Sequence, residues 1–456
     1  MSSYFKQANP AELLKAYPLG EAFLTGPASL NKTDLSELQH RRFQRIIKRA
    51  WQIPFYQRLW KNAGLQPVDI HGLEDLVHVP VFTKHDLMSS VTNMPPFGDY
   101  HGFHEEDENG VRTVFHTTSG TTGEPQPLYF GPRDREIQSI LLARAYLLQG
   151  LRPSDVVHSV YGFGMVNGGH YIREAILHYT DSLLLPAGTG AETRSVQQVE
   201  LMKRFGATVL VGFSDFLYKL AEVARDNGLE PGDDIPIRMI SGHLDLASRG
   251  NLGNAWGGAE TYDWYGVGDT GIIASEGPDR DGLYIWEDAH IVEILDPFSD
   301  QPVSEGMLGN ICVTTLFKDT VYPIIRFNTQ DVSSFLKPNP NSGINFKRLS
   351  GFGGRSDNMV KLRGVNVYPT AIGSMLRNLE GVTGEYVCRI NASATEMTVL
   401  VEHKSNSDAD RDKISEFLRN QLGVQIEVKL VDPGTTSVLT GLEQRQKPKR
   451  LILDPN

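Results

Sequence analysis

The chain has 456 residues, 40% of them hydrophobic and 22% charged, with a formal net charge of −11 and a pI near 5.7. That length suits one large domain plus a smaller one, and the acidic balance lacks the basic footprint that a general nucleic-acid binder needs. Two cysteines far apart, Cys312 and Cys388, suggest neither a disulfide framework nor a zinc cluster and fit a reducing cytoplasm.

In chain order, the N-terminus has no charged leader followed by an apolar core, so no secretory signal is expected. No apolar run reaches the roughly eighteen residues of a membrane span, so no membrane partner is expected either. The first hundred residues read as helical and irregular. Asp34 and Glu37 have capping-box spacing. Behind them Leu35, Leu38, Phe43, Ile46, Ile47 and Ala50 fall on one helical face, and the basic run from Arg41 to Arg49 reads as its solvated side.

From about residue 111 short apolar runs alternate with amphipathic stretches. Segments 155–162, 182–188, 207–213, 237–242 and 261–266 read as buried strands, with helices over 195–206 and 215–228 between them. Strand–helix alternation predicts an α/β fold with a doubly wound, mostly parallel sheet, whose ligands bind beyond the carboxyl ends of the strands. After a Pro/Asn loop at 337–343, the tail reads strand, helix, strand, strand, helix, strand. That order predicts a small α+β, ferredoxin-like domain. The boundary is placed near Asp357, giving domains 1–356 and 357–456.

The strongest local signal is His116-Thr-Thr-Ser-Gly-Thr-Thr-Gly-Glu-Pro125, which follows a candidate strand at 111–115. Gly120 and Gly123 permit close backbone approach. Ser119, Thr121 and Thr122 set hydroxyls beside exposed N–H groups, the makings of a polyphosphate nest. It is not a Walker loop, because the GK[ST] ending is missing.

This segment resembles the phosphate loop of the adenylate-forming ligases. From 53–64 and 73–87 almost to the C-terminus, the chain is similar to one branch of them, the phenylacetate-CoA ligase family, with its motifs in family order. The resemblance implies an ATP- and Mg²⁺-dependent enzyme that converts a small aromatic acid to an acyl-AMP and then to a coenzyme A thioester. It implies the following residues. In 263–271 (DWYGVGDTG) Tyr265 packs on adenine, Asp263 lies at its edge, and Asp269 meets the metal. Gly242 also belongs to the nucleotide site. In 323–331 (PIIRFNTQD) Asp331 grips the ribose diol, which a carboxylate can do with two accepted hydrogen bonds; Arg326 is either an ion-pair partner or a ligand contact. In 354–369 Arg355 approaches ribose or phosphate, Asp357 is the hinge, and Arg363 and Gly364 line the coenzyme A entry. Near the end Lys447, with Lys449 as second choice, bridges the attacking carboxylate and the α-phosphate. The acid pocket falls among Tyr161, Phe163, Phe213, Ser214, His243 and Trp264, whose aromatic walls suit a flat ring.

The chain departs from the family at three positions. Glu124 and Gln126 hold two positions at one or both of which relatives usually carry lysine, and Asp269 stands where they usually carry Glu. The resemblance therefore leaves two alternatives: an adenylate handed to an amine, a carrier-protein thiol or another nucleophile, and a non-catalytic nucleotide-binding relative. The acidic and basic group at Glu287, Asp288 and His290 reads as structural. A homodimer stays open, and neither the acid nor the pathway is legible in the sequence.

Overall fold

The computed structural model describes residues 3–102, 113–118, 124–244, 249–356, 359–363, 365–376, 379–391, 396–405, 407–441 and 449–454. The N-terminal region is helical, as its spacing predicts. Its longest helix, α1 (Lys32–Ala50), starts a turn earlier than the Asp34 capping box implies. Asn31 is the cap: its Oδ1 accepts the N–H groups of Thr33 and Asp34, both at 3.0 Å. One side-chain oxygen thus satisfies two of the donors that a helix start leaves open. The apolar face of α1 is buried, and so is Arg42, which the charge pattern placed in solvent. Its guanidinium lies 4.1 Å from the Tyr17 ring centre and donates to the carbonyls of Ala16 and Asp288.

A hairpin of β1 (Val114–Thr117) and β2 (Pro127–Phe130) leads into helix α2 (Pro132–Leu148). Then come β3 (Val156–Ser159), α3 (Gly168–Tyr179), β4 (Leu183–Pro186), α4 (Ser195–Phe205), β5 (Val209–Phe213), α5 (Ser214–Asp226), β6 (Met239–His243) and β7 (Glu260–Val267). Strands β4, β3, β5, β6 and β7 lie side by side and parallel. Helices α2 and α3 cover one face of this sheet and α4 and α5 the other. Burial on both faces explains why these strands read as unbroken apolar runs rather than as alternations.

Beyond β7 the sheet turns antiparallel through β8 (Gly271–Glu276) and β9 (Leu283–Ile285). Strands β10 (His290–Leu295), β11 (Gly309–Thr315) and β12 (Phe327–Ser333) form a separate antiparallel sheet. Strands β13 (Phe335–Leu336) and β14 (Arg348–Leu349) then return to the edge of the large sheet, completing nine strands. Among the described residues no helix is long and apolar enough to cross a membrane.

The last hundred residues carry their own apolar cluster, from Val360 to Val428 with Leu451 packed against it. A short hairpin, β15 (Val360–Leu362) and β16 (Val365–Val367), precedes a four-stranded sheet. That sheet contains β17 (Val382–Ile390), β18 (Met397–His403), β19 (Glu427–Val431) and β20 (Leu451–Leu453), in the order β19-β18-β17-β20, with helix α6 (Asp408–Leu422) between β18 and β19. The unit is α+β, as expected, but its strands differ in detail from the expected order. Segment 365–369 stands outside the main sheet. The fourth strand comes instead from residues that read as a basic tail, because β20 pairs in parallel with β17.

Candidate active site

The hairpin places the glycine- and hydroxyl-rich loop. Thr118 and Gln126 close its base: Thr118 N donates to Gln126 O, and Gln126 N donates to Thr118 Oγ1, both at 3.0 Å. Residues Ser119, Gly120, Thr121, Thr122 and Gly123 lie outside the described residues. Glu124 is exposed, whereas Gln126 is buried. The side chain of Gln126 points to the other departure from the family pattern: its Nε2 donates to Asp269 Oδ1 at 2.7 Å. Two of the three departures are therefore in contact, an amide on a carboxylate shorter than the usual one.

Asp269 sits in the turn between β7 and β8, fully enclosed. Its Oδ1 also accepts the Tyr322 hydroxyl at 2.9 Å. Beneath it lies Lys318, fully buried, which donates to the Asp269 carbonyl at 2.9 Å and the Tyr129 carbonyl at 3.3 Å. The ammonium is flanked by the rings of Phe130 and Tyr322, 4.2 and 4.4 Å from their centres. Burial raises the Asp269 carboxyl above its usual value; Lys318 and the two hydrogen bonds to Oδ1 oppose that shift. Burial in turn lowers the Lys318 amine to about 8, with the charges of Asp134 and Asp269 holding it up. Sequence reasoning missed Lys318 and Tyr322. The available signal was a lone lysine between the apolar stretches 311–316 and 321–325. Among the described residues no group of three or more His, Cys, Asp or Glu could hold a metal ion by itself. A hard cation such as Mg²⁺ would fit one carboxylate here only together with phosphate oxygens and waters, its common mode.

A second cluster forms where β7 faces β12. The Tyr265 hydroxyl donates to Asp331 Oδ2 at 2.8 Å and approaches Thr329 Oγ1 at 3.2 Å. Arg355 Nη1 donates to Asp331 Oδ1 at 2.8 Å, and the two residues also share a backbone bridge. Three motifs distant in sequence thus meet at one carboxylate. The backbone aims it: Gln330, just before, has φ +61°, a conformation uncommon for a side-chain-bearing residue, and Asn328 Oδ1 holds its N–H at 2.9 Å. Asp263 is buried, with Leu244 N on its Oδ1 at 2.9 Å and its own N–H on Glu276 Oε2 at 2.8 Å. Burial raises its carboxyl well above the usual range. Arg326 is held by Glu293 through two hydrogen bonds of 3.0 Å and by the carbonyls of Val77 and Val79, so it is an ion-pair residue rather than an open ligand contact.

At the carboxyl ends of β3, β5 and β6 four aromatic rings converge. The Tyr161 hydroxyl meets His243 Nδ1 at 2.7 Å. Phe213 stacks on His243 with centroids 5.2 Å apart and an interplanar angle of 18°; Trp264 lies 4.1 Å from His243 and 6.2 Å from Tyr161. Burial pushes the Tyr161 phenol well above its usual value and keeps it protonated; the direction of its hydrogen bond to Nδ1 follows the His243 tautomer. Ser214 is buried at the first position of α5. Phe163 is set apart: its N–H donates to Glu192 Oε1 at 3.1 Å and its ring meets His170 edge-on at 5.9 Å. Gly242 is required by close approach, because a Cβ there would lie 1.8 Å from the Gly212 carbonyl on the neighbouring strand. Arg363 is exposed in the turn of the β15·β16 hairpin, at φ +49°. Asp357, Gly364 and Lys447 lie outside the described residues; Lys449 donates its N–H to Thr440 O at 2.8 Å just before β20. The Glu287–His290 group is structural, as its setting suggested: Asp288 is paired with Arg144 in the core through hydrogen bonds of 2.9 and 3.0 Å.

A hairpin closed by Thr118 and Gln126, the Asp269 turn in contact with it and a carboxylate–tyrosine–arginine corner, around the ends of a doubly wound sheet, fit an adenylate-forming enzyme. Residues 364–452 match the family described as AMP-binding enzyme C-terminal domain. The chain is 28% identical to the phenylacetate-coenzyme A ligase of Thermus thermophilus, over 89% of this chain and 94% of that protein. It is 26% identical to a 2-hydroxyisobutyryl-CoA ligase in its postadenylation state with a bound acyl-AMP, covering 94% of this chain and 91% of the other, with a TM-score of 0.82. Against the same ligase in its thioesterification state, with acyl-AMP and CoA, the TM-score is 0.68 at 28% identity over the same shares. The chain is similar to the adenylate-forming ligases and, among them, to phenylacetate-coenzyme A ligases, at 25–28% identity over 88–91% of its length.

Proposed function

We propose that the protein joins a small aromatic carboxylic acid to coenzyme A in two steps, by way of an acyl-adenylate. The observation that carries this reading is the convergence of separate motifs at the ends of the parallel strands. Gln126 from the phosphate loop meets Asp269, and Tyr265 and Arg355 meet Asp331.

In the first step an oxygen of the acid's carboxylate bonds to the α-phosphorus of ATP and the bond to the pyrophosphate breaks. Asp331 takes the ribose hydroxyls, with Tyr265 and Arg355 fixing its two oxygens. The loop from Ser119 to Gly123 receives the phosphates on backbone N–H groups and hydroxyls. Asp269 would hold Mg²⁺ together with phosphate oxygens and waters, and the ion would supply neutralising charge there. Lys447 bridges the attacking carboxylate and the α-phosphate, where charge accumulates. Holding the two reactants in line supplies much of the rate. The aromatic cluster of Tyr161, Phe213, His243 and Trp264 receives the acid's ring.

In the second step the unit from residue 357 onward turns, with Asp357 as the hinge. The thiol of coenzyme A attacks the acyl carbon, AMP leaves, and the thiol proton goes to solvent. Arg363 and Gly364 line the thiol's entry. Both cysteines are buried and free, in keeping with a cytoplasmic setting.

The reading is tested by pyrophosphate release from ATP against a panel of benzoates, phenylacetates and phenylpropanoates. Release with one or a few acids, and none without acid, is expected. Acid-independent release, or none with any acid, contradicts it.

A further inference from the structure

Arg450 immediately precedes β20, one residue after Lys449 and three after Lys447, and its side chain is nearly enclosed, with 7% of it exposed. Within its own unit it is held by Glu385, at 2.8 and 3.2 Å, and by the Tyr386 carbonyl at 2.8 Å, with its guanidinium 4.6 Å from the Tyr386 ring centre. Its fourth partner belongs to the other unit: Nη2 donates to Asp215 Oδ2 at 3.2 Å. Asp215 is in the first turn of α5, next to Ser214 and Phe213 at the mouth of the aromatic cluster. An ion pair therefore ties the C-terminal tail to the large sheet beside the acid pocket.

We propose that Arg450 and Asp215 are positioning residues for the adenylation step: their ion pair latches the C-terminal unit in the orientation that delivers Lys447. Three observations support this. Three peptide units separate Arg450 from Lys447, so the two Cα atoms lie within about 11 Å of each other whatever the path between them. The backbone of Arg450 is itself fixed, since its carbonyl accepts the Cys388 N–H at 2.9 Å and β20 pairs with β17. The chain as a whole also superposes better on the postadenylation state of the 2-hydroxyisobutyryl-CoA ligase than on its thioesterification state, with TM-scores of 0.82 and 0.68. Truncating the Asp215 side of the pair leaves the Arg450–Glu385 contact, and with it the fold of the smaller unit, in place.

The inference rests on the two-step reading above, and the half-reactions separate the two. Pyrophosphate release is measured with the best acid of the panel. Thioester formation is measured separately, from that acid's chemically made adenylate and coenzyme A. For Asp215→Asn the first rate falls roughly tenfold, the scale of one lost charge-assisted hydrogen bond, while the second is unchanged or faster. Asp215→Glu, which keeps the charge, restores the first rate. Equal loss in both half-reactions, no loss in either, or failure of the glutamate to restore the rate overturns the latch. A wild-type protein active in neither half-reaction overturns the two-step reading and the latch with it.

Discussion

Asp331→Asn isolates the nucleotide corner from the rest of the site. The carboxylate accepts the Tyr265 hydroxyl at 2.8 Å on one oxygen and Arg355 at 2.8 Å on the other. Asparagine keeps the shape, but one arm becomes a donor and the charge is lost. That arm can face Tyr265, whose hydroxyl can turn to accept, but not Arg355, which has no acceptor. The Arg355 side chain is 31% exposed, so solvent screens part of the loss inside the free protein. The larger loss comes with nucleotide, when the ribose hydroxyls meet a neutral amide in place of an anion. A hydrogen bond to a charged group contributes about 1.5–3 kcal/mol, and each 1.4 kcal/mol is about tenfold in affinity. ATP binding, read by calorimetry, should weaken by roughly 10- to 150-fold. A ligand without the two ribose hydroxyls supplies the internal check. Wild type should bind 2′,3′-dideoxy-ATP much more weakly than ATP, and the variant should scarcely distinguish them. If the variant binds ATP as wild type does, or discriminates against the dideoxy ligand as strongly, Asp331 does not hold the ribose.

Lys318→Met should leave the Asp269 and Tyr129 carbonyls without their buried donor, costing about 2 kcal/mol of stability; it should also raise the Mg²⁺ concentration needed for half-maximal pyrophosphate release, and an unchanged Mg²⁺ requirement would separate Lys318 from the metal site. His290 is buried with its pKa lowered by burial to about 3. Its unfolded form takes up a proton near pH 6.5 while the folded form does not, so stability is full above that pH and is lost as pH falls towards 3, at up to about 1.4 kcal/mol per pH unit. His290→Phe should therefore flatten the acid side of the unfolding midpoint–pH curve, and curves parallel to wild type would refute the assignment. Gly242→Ala forces a methyl to within 1.8 Å of the Gly212 carbonyl, so β6 must shift; about 2–3 kcal/mol of stability should be lost, visible as a lower thermal midpoint, together with weaker binding of the best acid, because His243 follows directly.

The parallel core was legible because its strands are short, apolar on both faces and separated by amphipathic helices, all local features. The motif residues were legible for a different reason: their order along the chain resembles a family, and their own chemistry alone left Asp331 or Asp269 as turn residues. The contacts that give these residues their setting are non-local. Nothing near Gln126 in sequence indicates that its amide would meet Asp269, or that Lys318 would lie under that turn between two rings. The N-terminal cap shows a local ambiguity, since Asn31 and Asp34 are both good caps and Asn31 wins by reaching two N–H groups. Strand β20 was hidden because the charge around Lys449 and Arg450 suggested solvent. In the fold Arg450 is buried by two carboxylates, Glu385 and Asp215, that lie far away in sequence.

The most direct test of the two-step reading is to follow AMP and acyl-thioester formation over many turnovers, with ATP, Mg²⁺ and the best acid of the panel, with and without coenzyme A. A single slow or stoichiometric release of pyrophosphate is expected without coenzyme A, and continuous turnover with it, yielding one AMP per acyl-CoA. Turnover that ignores coenzyme A, with no thioester formed, would contradict it and assign the adenylate to another acceptor.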